Sequence, residues 1–189
     1  MPEYASRGGQ KLEHALREFA VDVRGKTCAD LGSNAGGFVD CLLQHGAEKV
    51  FAIDTGYGVL DWNLRRDSRV IVMERTNAMH VELPVPMQII TIDVAWTRQK
   101  RILPAALRLL GAGGMVITLI KPHYEAHASR LRNGVLPPKQ LELVLEMVRS
   151  DIQSSGFIIR KMIPSPIKGT GGNAEYLALL EPSGTIIAE

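Results

Sequence analysis

A doubly wound α/β fold, with a mostly parallel sheet and helices on both faces, is what this sequence predicts. Three observations predict it. Apolar runs of strand length alternate with amphipathic helical stretches through most of the 189 residues. Three of those runs end at an acid, Asp30, Asp54 and Asp93, on the edge where open α/β sheets take their ligands. The first run leads into a glycine-rich turn, Gly32-Ser33-Asn34-Ala35-Gly36-Gly37, then into helical spacing through Phe38, Cys41, Leu42 and Leu43. That order reads as strand, tight turn, helix.

The elements follow in order. Ser6 is placed to cap a helix with Leu12, Ala15, Leu16 and Phe19 on one face and Glu13, Arg17 and Glu18 facing out. Lys11 stands beside the apolar stripe near the start, where the helix dipole disfavours a cation. Taken alone it reads as a solvated lysine. After the first strand and helix, Lys49–Asp54 is the second strand, Gly56-Tyr57-Gly58 a turn, and Leu60–Arg66 a short helix. Arg69–Met73 alternates too little for an exposed strand and reads as a buried third one. Pro84 and Pro86 precede a fourth, Met87–Asp93. Arg98–Leu110 is helical through Ile102, Leu103, Ala106 and Leu110, with Pro104 expected to mark its true start. The glycines of 111–114 stop it, and Met115–Lys121 is the fifth strand. His123–Pro138 reads as loop with at most a short helix. Pro137-Pro138 opens a helix carrying Leu141, Val144, Met147, Val148 and Ile152, ended by Gly156. Phe157–Ile163 and Glu175–Leu180 complete seven strands, around a loop rich in proline and glycine. One domain is expected over 1–189: a helical region at 1–26, a core at 27–181 and a tail at 182–189.

Composition narrows the classes. Hydrophobic content of 46% and charged content of 22% are ordinary globular values. A formal net charge of +2 excludes a global polycation, so nucleic-acid contact would need a local patch. The two cysteines, Cys28 and Cys41, make no C-x-x-C and suggest neither a disulfide framework nor a zinc site. The opening MPEYASRGGQ is not a secretory signal, and the longest apolar run, Met115–Ile120, is far short of a membrane span. A soluble cytoplasmic enzyme is the expectation.

The glycine turn selects a cofactor class. A dinucleotide site wants G-x-G-x-x-G, and this turn reads D-x-G-x-x-x-G-G, without the second glycine. No Gly-Lys-Ser/Thr follows, so it is not a P-loop. The pattern suits S-adenosylmethionine, which brings no phosphate to cradle. Gly32, Gly36 and Gly37 are expected to line the turn, Asp54 to take ribose hydroxyls, Asn77 to reach the adenine, and Asp30 to orient the turn. The competing reading is a structural glycine turn that binds nothing.

Four more charged residues meet the ligand edge: Lys11, Asp93, Lys121 and Glu175. Each alone has an ordinary explanation, as a cap, a snorkelling lysine or a surface pair. Together with the cofactor turn they form a constellation. Here the chain resembles a known family. SRGGQKLEHAL at Ser6–Leu16, ADLGSNAGGF at Ala29–Phe38, ERTNA at Glu74–Ala78 and SPIKGTGGNAEYL at Ser165–Leu177 are similar to the TlyA (haemolysin A) family of FtsJ-like RNA ribose 2′-O-methyltransferases. The resemblance implies a Rossmann-like class I S-adenosylmethionine-dependent methyltransferase with a Lys-Asp-Lys-Glu tetrad. By motif position the tetrad falls on Lys11, Asp93, Lys121 and Glu175.

The chemistry is consistent with that. A ribose hydroxyl is a poor nucleophile, and methyl transfer from a sulfonium requires oxygen, methyl and sulfur in line. A base beside the hydroxyl helps as the proton becomes acidic during attack. A lysine serves as such a base where burial and a second cation favour its neutral amine. Lys121 is expected as the base, Lys11 as the second cation that positions substrate, and Asp93 and Glu175 as the groups that hold both amines. RNA would approach over Arg7, Arg130 and Arg132, with Lys139 and Lys168 nearby and Trp96 or Tyr124 stacking on a base. His123 and His127 lie four apart without a third ligand and read as surface histidines, not a metal pair.

Members of the resembled family usually carry an N-terminal S4-type RNA-binding domain, expected to be absent from this chain and replaced by a partner protein. Val94–Lys100 also departs from the family's apolar Val-Ser-Phe-Ile-Ser, which puts Arg98 and Lys100 forward for substrate recognition. A binding module without turnover, a membrane-active haemolysin and a methyltransferase of proteins or small molecules remain as alternative readings.

Overall fold

The computed structural model describes residues 4–184. Its strands are β1 (Thr27–Leu31), β2 (Lys49–Ile53), β3 (Val70–Met73), β4 (Met87–Ile92), β5 (Leu110–Ile120), β6 (Phe157–Pro164) and β7 (Tyr176–Pro182). Its helices are α1 (Gly8–Phe19), α2 (Gly37–Gln44), α3 (Trp62–Arg66), α4 (Gln99–Leu109), α5 (Pro122–Glu125) and α6 (Pro138–Ser154). The strands form one sheet in the order β3-β2-β1-β4-β5-β7-β6. The pairs from β3 to β5 are parallel, and β7 runs antiparallel to both its neighbours. The tail expected at 182–189 lies mostly outside the described residues.

Strand alternation divides the core in two. Ala29 and Leu31 of β1, Ile90 and Ile92 of β4 and Val116 and Ile120 of β5 face α4 and α6, where Ile102, Leu103, Val144 and Val148 meet them. Cys28, Ile89, Ile117 and Leu119 face the other way, onto Leu12 and Leu16 of α1 and Phe38 and Leu42 of α2. Burial pushes both thiols, Cys28 and Cys41, up to about 12, so neither is a thiolate at neutral pH. No helix among the described residues is long and apolar enough to cross a membrane.

Three expectations need correcting. β3 is an edge strand, paired only with β2, and three of its four residues are half-buried. Its apolar run packs on both sides of the sheet, Ile71 and Met73 on one and Val70 and Val72 on the other, but with no strand beyond it the burial is partial. Pro104 lies inside α4, not at its start. The carbonyl that loses its partner belongs to Lys100, an exposed residue of the first turn. The start of α4 is held instead by Glu125, whose Oε1 accepts the Gln99 N–H at 2.9 Å. Burial pushes that carboxyl up to about 7. Finally, β5 begins at Leu110, so the glycine run is strand. It contains an irregularity opposite Met87–Ile89, and a Cβ on Gly114 would stand 2.9 Å from the Met87 carbonyl oxygen.

The contact that seats α1 is made by Gly37. A Cβ there would lie 2.2 Å from Ser6 Oγ and 2.9 Å from the Gly9 nitrogen. Ser6 Oγ in turn accepts the Gly8 N–H at 3.2 Å, but the N-cap position falls on Arg7, one residue later than expected. Gly37→Ala should push α1 from α2 and cost about 1–3 kcal/mol, read as a lower denaturant midpoint. An unchanged midpoint would show that the helices do not meet this closely.

Candidate active site

The parallel register brings three strand ends to one place. Leu31 pairs with Ile53 on one side and Ile92 on the other. The turn is then tied to both neighbours. The Gly32 and Ser33 N–H groups donate to the Ile53 carbonyl at 2.9 and 3.0 Å, and the Asp93 N–H donates to the Leu31 carbonyl at 3.0 Å. Gly32 has φ +90, and a Cβ there would lie 2.7 Å from the Asp93 carbonyl oxygen. Only glycine fits, on conformation and on space.

Two cavities open on this edge. One, of about 270 Å³, is lined by Arg7, Lys11, Asp30, Gly37, Asp93 and Lys121 among others. The second, of about 400 Å³, is lined by Asp54, Gly56, Asn77, Val94 and Trp96 among others. They share Gly32, Asn34, Asp93 and Ala95 as a common wall. A ligand with a sugar-and-base end and a charged end thus has a place for each.

In the first cavity Lys121 Nζ is 2.5 Å from Asp93 Oδ1 and donates to the Val94 carbonyl at 3.3 Å. Lys11 Nζ donates to Glu175 Oε2 at 2.5 Å. The Lys11 and Lys121 side chains are only 12% and 15% exposed. Lys11 is therefore not a solvated lysine, and in each pair a carboxylate offsets the desolvation of the amine. Glu175 reaches the cavity through Lys11. A Cβ on Gly169 would come within 2.2 Å of Glu175 Oε1, so the last loop closes directly over that carboxylate.

Asp30 sits inside β1, not at its end, and is fully buried. Thr91 Oγ1 donates to its Oδ1 at 2.7 Å, while Oδ2 has no protein partner. Burial pushes its pKa up to about 8; the Thr91 hydrogen bond opposes this, and the charges of Asp93 and Asp54 add to it. In the second cavity Asp54 accepts backbone N–H groups from Asn34 at 2.9 Å and Gly56 at 2.7 Å. A carboxylate has lone pairs beyond those two. Asn77 lines the same cavity and accepts the Met79 N–H.

Other expected residues lie elsewhere. Gly36, at φ +94, lines neither cavity; a Cβ there would run into Leu64 and Leu60, so its glycine seats α3. Arg130 is exposed, donates to Gln140 Oε1, and borders a separate apolar cavity with Arg98, Glu125 and Met147. Arg132 is exposed in a turn closed on Val135. Neither reaches the two cavities, and of the expected RNA-binding arginines only Arg7 does. His123 is buried, not on the surface; burial, then the Lys121 charge, lowers its pKa. The described residues hold no cluster suited to a metal ion. Trp96, 82% exposed, stands edge-on to Tyr124 at 6.5 Å. Sequence reasoning missed Thr91, whose alternation gave no sign of a role, and the meeting of the α1 and α2 N-termini, which only the packing of Ser6 on Gly37 reveals.

A glycine turn closing β1, an acid after β2 and a sheet with an antiparallel β7 define an S-adenosylmethionine-dependent methyltransferase. The chain belongs to the FtsJ-like methyltransferase family, whose model matches residues 4–181, and within it to the TlyA/haemolysin A branch. It is 42% identical over 187 residues to YqxC of Bacillus subtilis, covering 96% of this chain and 66% of that protein. It is 36% identical over 183 residues to the 16S/23S rRNA (cytidine-2′-O)-methyltransferase TlyA of Mycobacterium tuberculosis, covering 94% of this chain and 68% of that one. Among solved structures, a protein described as a hemolysin from Streptococcus thermophilus superposes with a TM-score of 0.93 at 39% identity, over 97% of this chain and 69% of that one. The chain thus spans about two thirds of the length of these relatives.

The burial of Asp30 sets a pH dependence. An unfolded aspartate ionises near pH 4, whereas the folded one holds its proton to about 8. The native state therefore binds the extra proton between those values, and stability falls as pH rises through them. Denaturant titrations at about pH 5 and about pH 9 should show this fall in the wild type and a weaker one in Asp30→Asn. Equal pH dependence in both would refute the assignment.

Proposed function

We propose that this chain transfers a methyl group from S-adenosylmethionine to a ribose 2′-hydroxyl of RNA, with Lys121, Asp93, Lys11 and Glu175 as the catalytic set. The observation that carries the reading is the pair of near-buried ammonium–carboxylate contacts in a cavity that shares a wall with the nucleoside cavity.

The residues present fit the cofactor. Asp54 offers lone pairs to ribose hydroxyls, and Asn77, which lines the same cavity, would meet the adenine. At the other end, the orphaned Asp30 oxygen would meet an ammonium once the carboxyl gives up its proton on that cation's arrival, and the first turns of α1 and α2 beside Ser6 suit a carboxylate. Bound there, the cofactor supplies an electrophilic methyl group on a sulfonium. In this reading the Lys121 ammonium first gives up a proton to solvent, and the amine so formed accepts the hydroxyl proton as the oxygen takes the methyl and the sulfur keeps the electron pair of the broken bond. Asp93 holds that amine in place, and Lys11, fixed by Glu175, holds the ribose or its flanking phosphate. Trp96, standing in solvent over the shared wall, gives the target base a face to stack on, with Tyr124 edge-on behind it.

The substrate in this reading is ribosomal RNA, on the strength of relatives named for 16S and 23S rRNA cytidine 2′-O-methylation. Those relatives are longer, so delivery of the RNA by a partner protein or an additional RNA-binding domain belongs to the proposal.

Lys121→Met should lower transfer of radiolabelled methyl to unmodified ribosomal RNA by about a hundredfold or more, with calorimetric cofactor affinity unchanged within a few-fold. Wild-type turnover in that variant would remove Lys121 as the base. Asp54→Ala should act in the opposite sense, weakening cofactor binding by about ten- to a hundredfold, as loss of a charged hydrogen-bond acceptor does. An unaltered dissociation constant would place the ribose elsewhere.

A further inference from the structure

We infer a second RNA contact beside β2, where Tyr57 of the loop after β2, Trp62 at the start of α3 and Arg75 in the turn after β3 form a stacking platform for unpaired nucleotides outside the target ribose. The inference rests on the RNA reading above and says where the same substrate continues.

Exposure raises the question. Tyr57 is 72% and Trp62 68% exposed. Together with Trp96 beside the nucleoside cavity, both tryptophans of the chain stand in solvent. Exposed apolar surface marks an interaction site where it is contiguous and rimmed by polar groups, and a single exposed ring does not.

The neighbours of these rings are ordered. The Glu74 carboxylate accepts the N–H groups of Gly58 at 2.8 Å and Val59 at 3.0 Å and pairs with the Arg65 guanidinium. Asp54 Oδ1 accepts the Gly56 N–H, and the Gly56 carbonyl accepts the Arg75 N–H at 3.0 Å. Arg75 itself sits at φ 52, an unusual conformation for a side-chain-bearing residue. That places its guanidinium 4.2 Å from the centre of the Tyr57 ring. Ring and cation are therefore pre-positioned, and a base that stacks there orders little of the protein.

Charge identifies the occupant. Every acid of this segment is engaged: Asp54 and Asp61 with backbone N–H groups, Asp67 with Arg69, Glu74 with Arg65. Among the described residues Arg66 and Arg75 have no carboxylate within ion-pair distance, so the loop offers flat rings flanked by free cations. Bases stack on such rings and phosphates meet such cations. Because Gly56 also lines the nucleoside cavity, the platform lies on the catalytic edge of the sheet, on the β2 side.

The test uses Tyr57→Ala with Trp62→Ala, Arg75→Ala, and the conservative pair Tyr57→Phe with Trp62→Phe. Affinity for a single-stranded RNA of about a dozen nucleotides is read by anisotropy. The emission of Trp62 is followed in a Trp96→Phe background. The alanine variants should lose about five- to a hundredfold in RNA affinity and keep the calorimetric affinity for S-adenosylmethionine. The phenylalanine pair should restore binding, and RNA should quench Trp62. Unchanged affinity and emission, in a protein that still methylates ribosomal RNA, would overturn the platform and leave the methyltransferase reading standing. Absence of both RNA binding and RNA labelling in the wild type would overturn both. A defect confined to intact ribosomal particles, with naked RNA bound normally, would assign the loop to a protein partner and overturn the inference.

Discussion

The approach of Gly32 to the Asp93 carbonyl is the contact on which the site depends. β1 and β4 are hydrogen-bonded neighbours, and at their ends the chain passes from sheet into turn with no room for a Cβ. Because Asp93 is held there by the Leu31 carbonyl, its carboxylate is fixed relative to the glycine turn, and Lys121 is fixed by that carboxylate in turn. A bulkier residue at position 32 would displace the wall that both cavities share. The glycine turn and Lys121 are thus one mechanical unit, although about ninety residues of sequence separate them.

The second unit closes from the other side. α1 precedes the sheet and β7 is its last strand, yet Lys11 and Glu175 meet in a nearly dry contact. Such a pair stabilises little in total, since desolvation of the two ions offsets most of their attraction. Its effect is on position. Neither charge is tolerable alone at that burial, so the first helix and the loop that covers Glu175 are committed to one arrangement. That arrangement carries Ser6, Arg7 and the α1 N-terminus to the mouth of the cavity. Two amines and two carboxylates also keep the pocket near neutral, so neither a cationic cofactor nor an anionic backbone meets an uncompensated field.

Much of this was legible in the sequence, and the failures are as physical as the successes. A strand buried on both faces leaves a continuous apolar run, and the acids following β2 and β4 marked the ligand edge because little else belongs there. Asp30 was read as a strand-ending acid, but its place within β1 and its contact with Thr91 depend on the neighbouring strand's register, which periodicity does not carry. β3 looked fully buried because four apolar residues look alike in a central strand and in an edge strand that has a neighbour on one side only. Pro104 looked like a helix start because a missing N–H is costless there; it lies inside α4 instead, where the carbonyl that loses its partner belongs to an exposed residue of the first turn. Gly36 looked like part of the cofactor turn, and only the packing of Leu60 and Leu64 shows that its missing Cβ makes room for a neighbouring helix.

The net charge of +2 also understates what this edge presents to a ligand. Acids and bases nearly balance in number, but they do not face the same way. Asp54 and Asp61 are turned onto backbone N–H groups, and Asp67, Glu74, Asp93 and Glu175 are each paired with a cation of the chain. Negative charge at the edge is therefore spent on holding loops and lysines in place. The cations without such partners, Arg7 at the cavity mouth and Arg66 and Arg75 beyond β2, are exposed. A chain of almost neutral composition thereby presents unpaired arginines on this side of the sheet, Arg7 beside the first cavity and Arg66 and Arg75 toward β2 and β3, while the lysines of the pocket are already compensated by their carboxylates. A polyanion would meet the free arginines first.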